Sequence, residues 1–292
     1  MTAADFVADT AVRPDPDTPG RYHLTLPDHW DFLRPSGGVV MSCALRAAMA
    51  ELGDASLRFA SSTTVFCTPI AHGELVADVT TLRRGGATAQ MRVALRDESG
   101  QPGLELTATF MRERIGPDVR CVALPKVVPL ADAEPFEIGS RSSPDLVFRF
   151  HQQMEYRLAD GERFWQPSFT AGPARYARWV RYRTPPRDAA GRLDRLALPP
   201  LIDSMPAALH RAIGPGDYRF MAPSLDLTTY VIDDTTREWL LVAITARRAK
   251  AGWAIADCEV WDDEGRYLAY GAQAMFLRGL SGEPPVVDAS GR

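Results

Sequence analysis

Residues 224–278 read SLDLTTYVIDDTTREWLLVAITARRAKAGWAIADCEVWDDEGRYLAYGAQAMFLR, and residues 58–112 read RFASSTTVFCTPIAHGELVADVTTLRRGGATAQMRVALRDESGQPGLELTATFMR. Superimposed without gaps at an offset of 166 residues, the two stretches are identical at 11 of 55 positions. Both also show the same order of alternating apolar runs, a Gly-marked turn, an Asp-Glu turn and a closing run that ends in Phe-Met-Arg or Phe-Leu-Arg. A repeat of this length predicts two copies of one structural unit.

Each copy has the pattern of a four-stranded meander that follows a helix. In the first half, an alternating run at 21–26 predicts a strand, and apolar residues recur at helical spacing from Val40 to Leu52, with Gly53 as a stop. The four strands that follow are predicted at 57–69, 73–84, 87–97 and 103–114. Because the turns between them are short, neighbouring strands should be antiparallel. The sequence therefore predicts an α+β fold built from two β-α-β4 units.

The predicted domains follow from this repeat and from the proline distribution. They are a disordered N-terminus at 1–18, a first unit at 19–114, a proline-rich linker at 115–146, a second unit at 147–279 and a disordered tail at 280–292. The second unit is predicted to contain runs at 147–158 and 173–183, a helix in DSMPAALHRAIG (203–214), and strands at 220–232, 238–249, 252–262 and 266–278.

Composition limits the classes of function. The chain has 292 residues, 46% of them hydrophobic and 24% charged, with a net charge of −4, which gives no electrostatic reason to bind nucleic acid or an anionic membrane. Its four cysteines show no CxxC spacing and its five histidines no paired ligand spacing, so we expect no metal and no cofactor. The acidic N-terminus has no apolar signal-peptide core and no run is long enough to cross a membrane, so we expect a cytoplasmic protein.

Four short motifs resemble those of type II acyl-CoA thioesterases, a family of double-hotdog proteins. They are PSGGVV (35–40) before the first helix, LALPPLIDSMPAAL (196–209) at the second helix, and the strands APSLDLTTYV (222–231) and YGAQAMFLR (270–278). Together the resemblance covers residues 20–114 and 147–278. It implies a tandem hotdog, in which one continuous antiparallel sheet wraps two long central helices.

The resemblance also implies a catalytic set of Asp, Thr or Ser, and Gln, which acts without a covalent intermediate. Carried over by position, the set falls on Asp203, Ser224 and Gln273. Ser224 departs from the family, which more often has Thr there, and a register error could place the hydroxyl at Thr228 or Thr229 instead.

The first half lacks this set. At about the corresponding positions it has Val39, Arg58 and Thr107, which cannot perform the same chemistry. The resemblance therefore implies one active site per chain.

Thioester hydrolysis needs a positioned water, a proton acceptor and donors for the developing oxyanion. Asp203 is the expected base, while Ser224 and Gln273 would hold the water. Gly37 and Gly38, at the start of the first helix, would let backbone N–H groups approach the substrate as oxyanion donors.

Each of the three side chains also has a structural interpretation. Asp203 stands where an N-cap is expected, Ser224 follows a proline at a strand start, and an outward Gln273 would only be solvated. Position alone favours the cap for Asp203, whereas the presence of the other two residues favours catalysis.

The leading functional hypothesis is an acyl-CoA thioesterase, acting on a thioester of coenzyme A or of an acyl carrier protein. One alternative is a dehydratase or hydratase that uses His29 with Asp203, although the HxxxGxxxxP pattern of those enzymes is missing because Leu33 stands four residues after His29. The other is a non-catalytic acyl-thioester binding protein. Edge strands of the predicted sheet could pair with a second chain, so we expect a homo-oligomer.

Overall fold

The computed structural model describes residues 4–139, 148–166 and 168–287. In this part of the chain the helices are α1 (Phe6–Asp9), α2 (Gly37–Leu52), α3 (Arg149–Gln152), α4 (Pro199–Ile202) and α5 (Pro206–Ile213), with 3-10 turns at Asp28–Trp30 and Arg195–Ala197. The strands of the first half are β1 (Arg13–Pro14), β2 (Arg21–Leu26), β3 (Arg58–Phe66), β4 (Gly73–Arg84), β5 (Thr88–Asp97) and β6 (Pro102–Met111). Those that follow are β7 (Pro135–Phe136), β8 (Met154–Asp160), β9 (Arg175–Tyr182), β10 (Arg219–Met221), β11 (Ser224–Val231), β12 (Leu240–Lys250), β13 (Trp253–Asp262), β14 (Tyr267–Phe276) and β15 (Arg278–Ser281).

One antiparallel sheet contains 13 of the described strands, and its two halves join in the middle. The order is β1-β2-β4-β5-β6-β3-β11-β14-β13-β12-β9-β8-β7, and β10 pairs with β15 in a separate small sheet. The junction is the antiparallel pair of β3 and β11, in which Thr228 lies opposite Thr63. The continuous sheet predicted from the repeat is therefore confirmed.

Helix α2 is the long central helix of the first half. It begins after Ser36 and ends at Gly53, whose φ of 60° is the left-handed conformation that glycine adopts at a helix C-terminus. Eleven of its residues are buried, as expected for a helix whose apolar residues cover most of its surface.

The second half has a broken helix where one was predicted. Helix α4 ends before Asp203, and α5 begins at Pro206, a residue that suits the first turn of a helix and cannot continue one. The prediction of a single helix over 203–214 was wrong at its start. The break leaves Asp203 in a connection between two short helices.

The strand ladders correct the offset between the halves from 166 to 165 residues. Strands β13 and β14 lie 165 residues after β5 and β6 at both ends. The bulges agree: the one between Ser224 and Asp226 in β11 corresponds at this offset to the one between Phe59 and Ser61 in β3. Side chains alternate between the two faces of a strand. An offset that is wrong by one residue therefore matches each residue with one on the opposite face of the sheet.

The prediction of a disordered N-terminus was wrong for the described residues from Ala4 onward. Helix α1 is capped by Asp5, and Phe6 is 1% exposed, with its ring edge-on to Trp30 at 5.3 Å between centroids. Strand β1 then pairs with β2. An aromatic side chain buried in the core fixes this segment, although the residues around it are rich in aspartate, threonine and proline.

The predicted linker and tail are also partly structured. Within 115–146, Val128 accepts a hydrogen bond from the Trp179 indole at 2.9 Å, so the segment packs across the outer face of the second half. Residues 140–147 lie outside the described part of the chain. The tail begins with the end of β15, and residues 288–292 are likewise outside the described residues. The remaining domain limits stay predictions.

The outer strands of the large sheet are short. Strands β1 and β7 contain two residues each, and each contains a proline, Pro14 or Pro135. Short edges and prolines oppose strand addition by another chain. The route to a homo-oligomer that the sequence suggested is therefore not supported by these edges, and oligomerisation stays a prediction.

Candidate active site

The side chains of Asp203, Ser224 and Gln273 meet in one hydrogen-bonded group. The Ser224 hydroxyl donates to Oδ1 of Asp203 at 2.7 Å, and the Gln273 amide Nε2 donates to the same oxygen at 2.5 Å. Nε2 of Gln273 also lies 2.6 Å from the Ser224 hydroxyl oxygen. The structure thus brings together the three residues that the sequence had proposed, from positions up to 70 residues apart.

The sheet places Ser224 and Gln273 on its inner face, toward the helices. Gln273 is 3% exposed and pairs with Leu227 of β11, which is fully buried. Ser224 pairs with Met275, and the bulge that follows places Leu225 outside the regular pairing. Without that extra residue the alternation along β11 would turn Ser224 to the outer face.

Asp203 links the two halves of the chain. Its Oδ2 accepts a hydrogen bond at 2.7 Å from the backbone N–H of Gly38, in the first turn of α2. The predicted N-cap role was wrong in its details, because α5 begins at Pro206, after Met205, and has no side-chain cap. Asp203 instead satisfies an amide at the N-terminus of the helix of the other half, where the helix dipole also favours its negative charge.

The environment changes the acidity of Asp203. Burial raises its pKa above the ordinary value of 3.8, while hydrogen bonds from Ser224, Gly38 and Gln273 oppose that rise by favouring the charged form. The net direction is upward. A carboxylate with a raised pKa is a stronger base than an exposed one, which suits a group that takes a proton from water.

Gly37 and Gly38 have different roles. A Cβ on Gly38 would lie 2.5 Å from the carbonyl oxygen of Pro199, so glycine is needed for the close packing of α2 against α4. A Cβ on Gly37 would lie 2.8 Å from Oδ2 of Asp203. Glycine at 37 therefore leaves one side of the carboxylate open to a small molecule.

This geometry revises the proposed oxyanion donors. The N–H of Gly38 is used by Asp203 and is not free to bind a substrate oxygen. Among the hydrogen bonds of the described residues, none uses the N–H of Gly37, the first residue of α2. Of the two glycines, Gly37 alone fits the expected donor role.

The alternative hydroxyls do not reach the site. Thr229 is fully buried on the inner face, but its hydroxyl makes no hydrogen bond with the described residues. Thr228 faces outward and lies 3.2 Å from the Thr63 hydroxyl. Ser224 is therefore the hydroxyl that the structure places beside Asp203.

The first half lacks the set, though at positions that differ from those inferred. Arg58 forms an ion pair with Asp234, and Thr107 is exposed on the outer face. At the corrected offset, Ser224 corresponds to Phe59 and Gln273 to Ala108, both buried and apolar. Neither can donate the hydrogen bonds that Asp203 accepts.

His29 lies beside Asp28 and is not part of the hydrogen-bonded group around Asp203. Its Nδ1 lies 3.7 Å from Asp28, and no hydrogen bond among the described residues joins it to Asp203. Within the same residues no cluster of histidine, cysteine, aspartate and glutamate could hold a metal ion, and no helix is long and apolar enough to cross a membrane.

Sequence reasoning missed two features of the site. The ring of Phe66, at the end of β3, would lie 3.0 Å from a Cβ on Gly37, so it borders the open side of Asp203. The hydrogen bond from Gly38 to Asp203 was missed because it joins residues 165 positions apart. The Gly-Gly motif indicated that another group lies close to the backbone at this point, but the sequence did not show which group it is.

The comparisons with known proteins agree with this architecture. The acyl-CoA thioesterase N-terminal domain matches residues 26–111, and the acyl-CoA thioesterase C-terminal domain matches residues 125–277. None of the curated proteins matches the chain.

Solved structures show the same fold at low identity. A hotdog-fold protein of unknown function from Alicyclobacillus acidocaldarius has a TM-score of 0.77 at 20% identity, over 96% of this chain and 98% of that one. Acyl-CoA thioesterase II from Mycobacterium marinum has a TM-score of 0.71 at 19% identity, over 95% and 100%. A dehydratase domain from Pseudomonas fluorescens has 0.52 at 12% identity, over 90% and 94%. The double-hotdog prediction is thus confirmed, and with both of its domains matched the chain belongs to the acyl-CoA thioesterase family.

Proposed function

We propose that the protein hydrolyses an acyl-CoA thioester to a carboxylic acid and coenzyme A, with Asp203 as general base. The observation that carries the proposal is the convergence of Ser224, Gln273 and the Gly38 N–H on one buried carboxylate. A structural aspartate needs no such set, because a helix N-terminus can be capped by one side-chain oxygen alone.

The hydrogen bonds indicate which oxygen acts. A carboxylate oxygen accepts about two hydrogen bonds. Oδ1 already accepts from Ser224 and Gln273, whereas Oδ2 accepts only from Gly38. A water bound to the free position of Oδ2, on the side that Gly37 leaves open, would give its proton to Asp203 as it attacks the thioester carbonyl carbon.

Ser224 and Gln273 then act by positioning. In the sequence-based hypothesis they held the water directly, but in this structure both donate to Asp203 and fix its orientation. The Gln273 carbonyl oxygen is buried and has no hydrogen-bond partner among the described residues, so this acceptor is left unused beside the group.

The N-terminus of α2 is the proposed oxyanion site. As the water oxygen bonds to the carbonyl carbon, negative charge develops on the carbonyl oxygen, which the Gly37 N–H and the positive end of the helix dipole would stabilise. Collapse of the tetrahedral intermediate breaks the carbon–sulfur bond, and the thiolate of coenzyme A leaves and takes up a proton. No covalent enzyme intermediate and no cofactor is required.

A panel of acyl-CoA substrates tests the proposal. Release of free thiol, with the rate lost in Asp203→Asn, is the expected result, and the acyl carrier protein thioester of the best acyl chain distinguishes the carrier. Binding of acyl-CoA without release of thiol by the wild-type protein would instead favour the non-catalytic alternative.

A further inference from the structure

The ring of Phe66 forms an apolar wall beside the candidate base. Phe66 is the last residue of β3 and pairs with Leu104 of β6, which is 1% exposed on the inner face of the sheet. Directly opposed residues of an antiparallel pair share one face, so the Phe66 side chain also points inward. It is half-buried and packs against the main core. The ring therefore lies on the same side of the sheet as Ser224 and Gln273.

Phe66, Gly37 and Asp203 surround one small space. The point that a Cβ of Gly37 would occupy lies 2.8 Å from Oδ2 of Asp203, 3.0 Å from Cε1 of Phe66 and 3.1 Å from its Cζ. Gly37 and Asp203 are half-buried, like Phe66, so all three residues keep some contact with solvent. The space is the side of the carboxylate that glycine at 37 leaves open.

The distance across this space limits what can bind there. Because Oδ2 and the edge of the ring both lie within about 3 Å of the same point, they are at most about 6 Å apart, centre to centre. A water that donates to Oδ2 has its oxygen ~2.5–3.0 Å away and fits beside the ring edge. A methyl group needs about 3.5–4.0 Å from each carbon that it contacts, so between the carboxylate and the ring it would overlap one of them.

Both walls of the space are held in place. The strand ladder fixes the backbone of Phe66, and the next residue, Cys67, donates its N–H to the Gly103 carbonyl oxygen at 2.9 Å. The carboxylate of Asp203 is fixed by its three hydrogen-bond donors. A wall built on a strand and a carboxylate held by paired groups keep their separation better than side chains on a loop would.

The two walls differ in chemistry. Oδ2 of Asp203 can take a proton from a hydroxyl group bound in the space, whereas the phenyl ring of Phe66 has neither a strong donor nor a strong acceptor. The ring therefore cannot bind or activate a nucleophile, and it can act only by its size and position. It limits the substituent that the oxygen of the nucleophile can carry.

We propose that Phe66 restricts the nucleophile at Asp203 to water, so that the acyl group is released as the free acid and is not transferred to an alcohol. The inference rests on the proposed hydrolysis at Asp203. In either reaction the oxygen of the nucleophile bonds to the thioester carbonyl carbon and Asp203 takes its proton. The carbon–sulfur bond then breaks, and the thiolate of coenzyme A leaves and takes up a proton. The two reactions differ in the second substituent of the attacking oxygen, which is hydrogen in water and methyl in methanol.

The test measures how the acyl group divides between water and methanol. One acyl-CoA is turned over at a fixed methanol concentration, and the free acid and the methyl ester are quantified by mass spectrometry against a blank without protein. We expect the wild type to form the acid, and Phe66→Ala to raise the ratio of ester to acid at least about tenfold, because the methyl group no longer overlaps the ring. A loss of stability changes the total rate but leaves this ratio unchanged. Phe276→Ala is the matched control, since its ring is 46% exposed on the outer face of β14, and it should keep the wild-type ratio.

A second variant covers the case in which Phe66→Ala does not fold. Phe66→Leu keeps an apolar side chain against the core but removes the edge of the ring, so it should raise the ratio of ester to acid by a smaller factor. A wild-type ratio in the variants that fold would overturn the inference, as would a wild-type protein that forms the ester as readily as the acid. In both cases thiol release by the wild type would leave the proposed hydrolysis intact. Absence of thiol release from every acyl-CoA would instead refute the proposed function, and the role of Phe66 with it.

Discussion

Replacing Asp203 by Asn separates catalysis from structure. Asn keeps one oxygen, which can accept from the Gly38 N–H as Oδ2 does now. Its amide can donate to Ser224 and, after rotation of the Gln273 side chain, to the Gln273 carbonyl oxygen that has no partner in the wild-type protein. Every contact of the carboxylate then has a substitute, and only the ability to take up a proton is lost.

The expected loss of activity is large and the expected change in stability is small. A positioned general base contributes ~10²- to 10⁴-fold, so kcat should fall at least ~10²-fold. Because burial raises the pKa of Asp203 in the folded state, its ionised form opposes folding. The stabilising contribution of the protonated form is complete below about 3.8, the unfolded value, and is lost as the pH rises through the folded pKa.

At neutral pH, Asp203→Asn should therefore be at least as stable as the wild type, within about 1 kcal/mol. The difference between the two should shrink as the pH falls toward the ordinary Asp value of 3.8, because the raised pKa makes the wild-type carboxyl take up its proton at a higher pH than in the unfolded chain. Thiol release from acyl-CoA measures the loss of activity, and urea unfolding at pH 4 and pH 7 measures the difference in stability. Asp226→Asn is the matched control, since its carboxylate accepts one backbone N–H at 2.9 Å outside the site. A variant that unfolds readily but retains turnover would show that Asp203 is structural.

Three further predictions follow from the same geometry, and a fourth is the homo-oligomer that the sequence suggested. The acidic limb of kcat/KM against pH should lie above the ordinary Asp value of 3.8, because burial raises the pKa of Asp203, and a limb at or below that value would contradict the proposed base. Thr107→Ala should keep turnover within a few fold, since Thr107 is exposed on the outer face. Loss of thiol release in this variant would show that the site has been assigned to the wrong half of the chain. Gly37→Ala should fold but lose activity, because its Cβ would lie 2.8 Å from Oδ2 of Asp203, whereas Gly38→Ala should unfold at lower urea because its Cβ would lie 2.5 Å from a backbone oxygen. Homo-oligomerisation, which the short proline-containing edge strands do not support, stays a prediction from the sequence, and light scattering that shows a monomer throughout at micromolar concentration would refute it.

The strand meander was predictable because it depends on local patterns. The alternation of apolar and polar residues gave β4 within its observed bounds and β5 and β6 within a few residues, since one face of each strand is buried. The broken helix of the second half was harder to predict from the sequence. Pro206 marks a helix start as readily as it interrupts a helix, and the sequence does not show which role packing selects.

The offset between the halves shows where sequence comparison reached its limit. An offset of 166 gives more identical residues than the observed offset of 165, because common residue types match by chance. Under that offset Gln273 corresponds to Thr107, which is exposed, and under the observed one it corresponds to Ala108, which is 4% exposed. Only the pairing of strands fixes the register, because it fixes which face each side chain occupies.

Contacts between the halves explain why a duplicated fold has one candidate site. Asp203 belongs to the second half, and the N–H group that it accepts belongs to Gly38 of the first half. In the first half, the strand positions that correspond to Ser224 and Gln273 are occupied by Phe59 and Ala108, which are buried and have no polar side-chain group. The second half therefore contributes the base and the first half the helix terminus. Each half is incomplete alone, and the two apolar residues of the first half leave no second set of donors for a carboxylate.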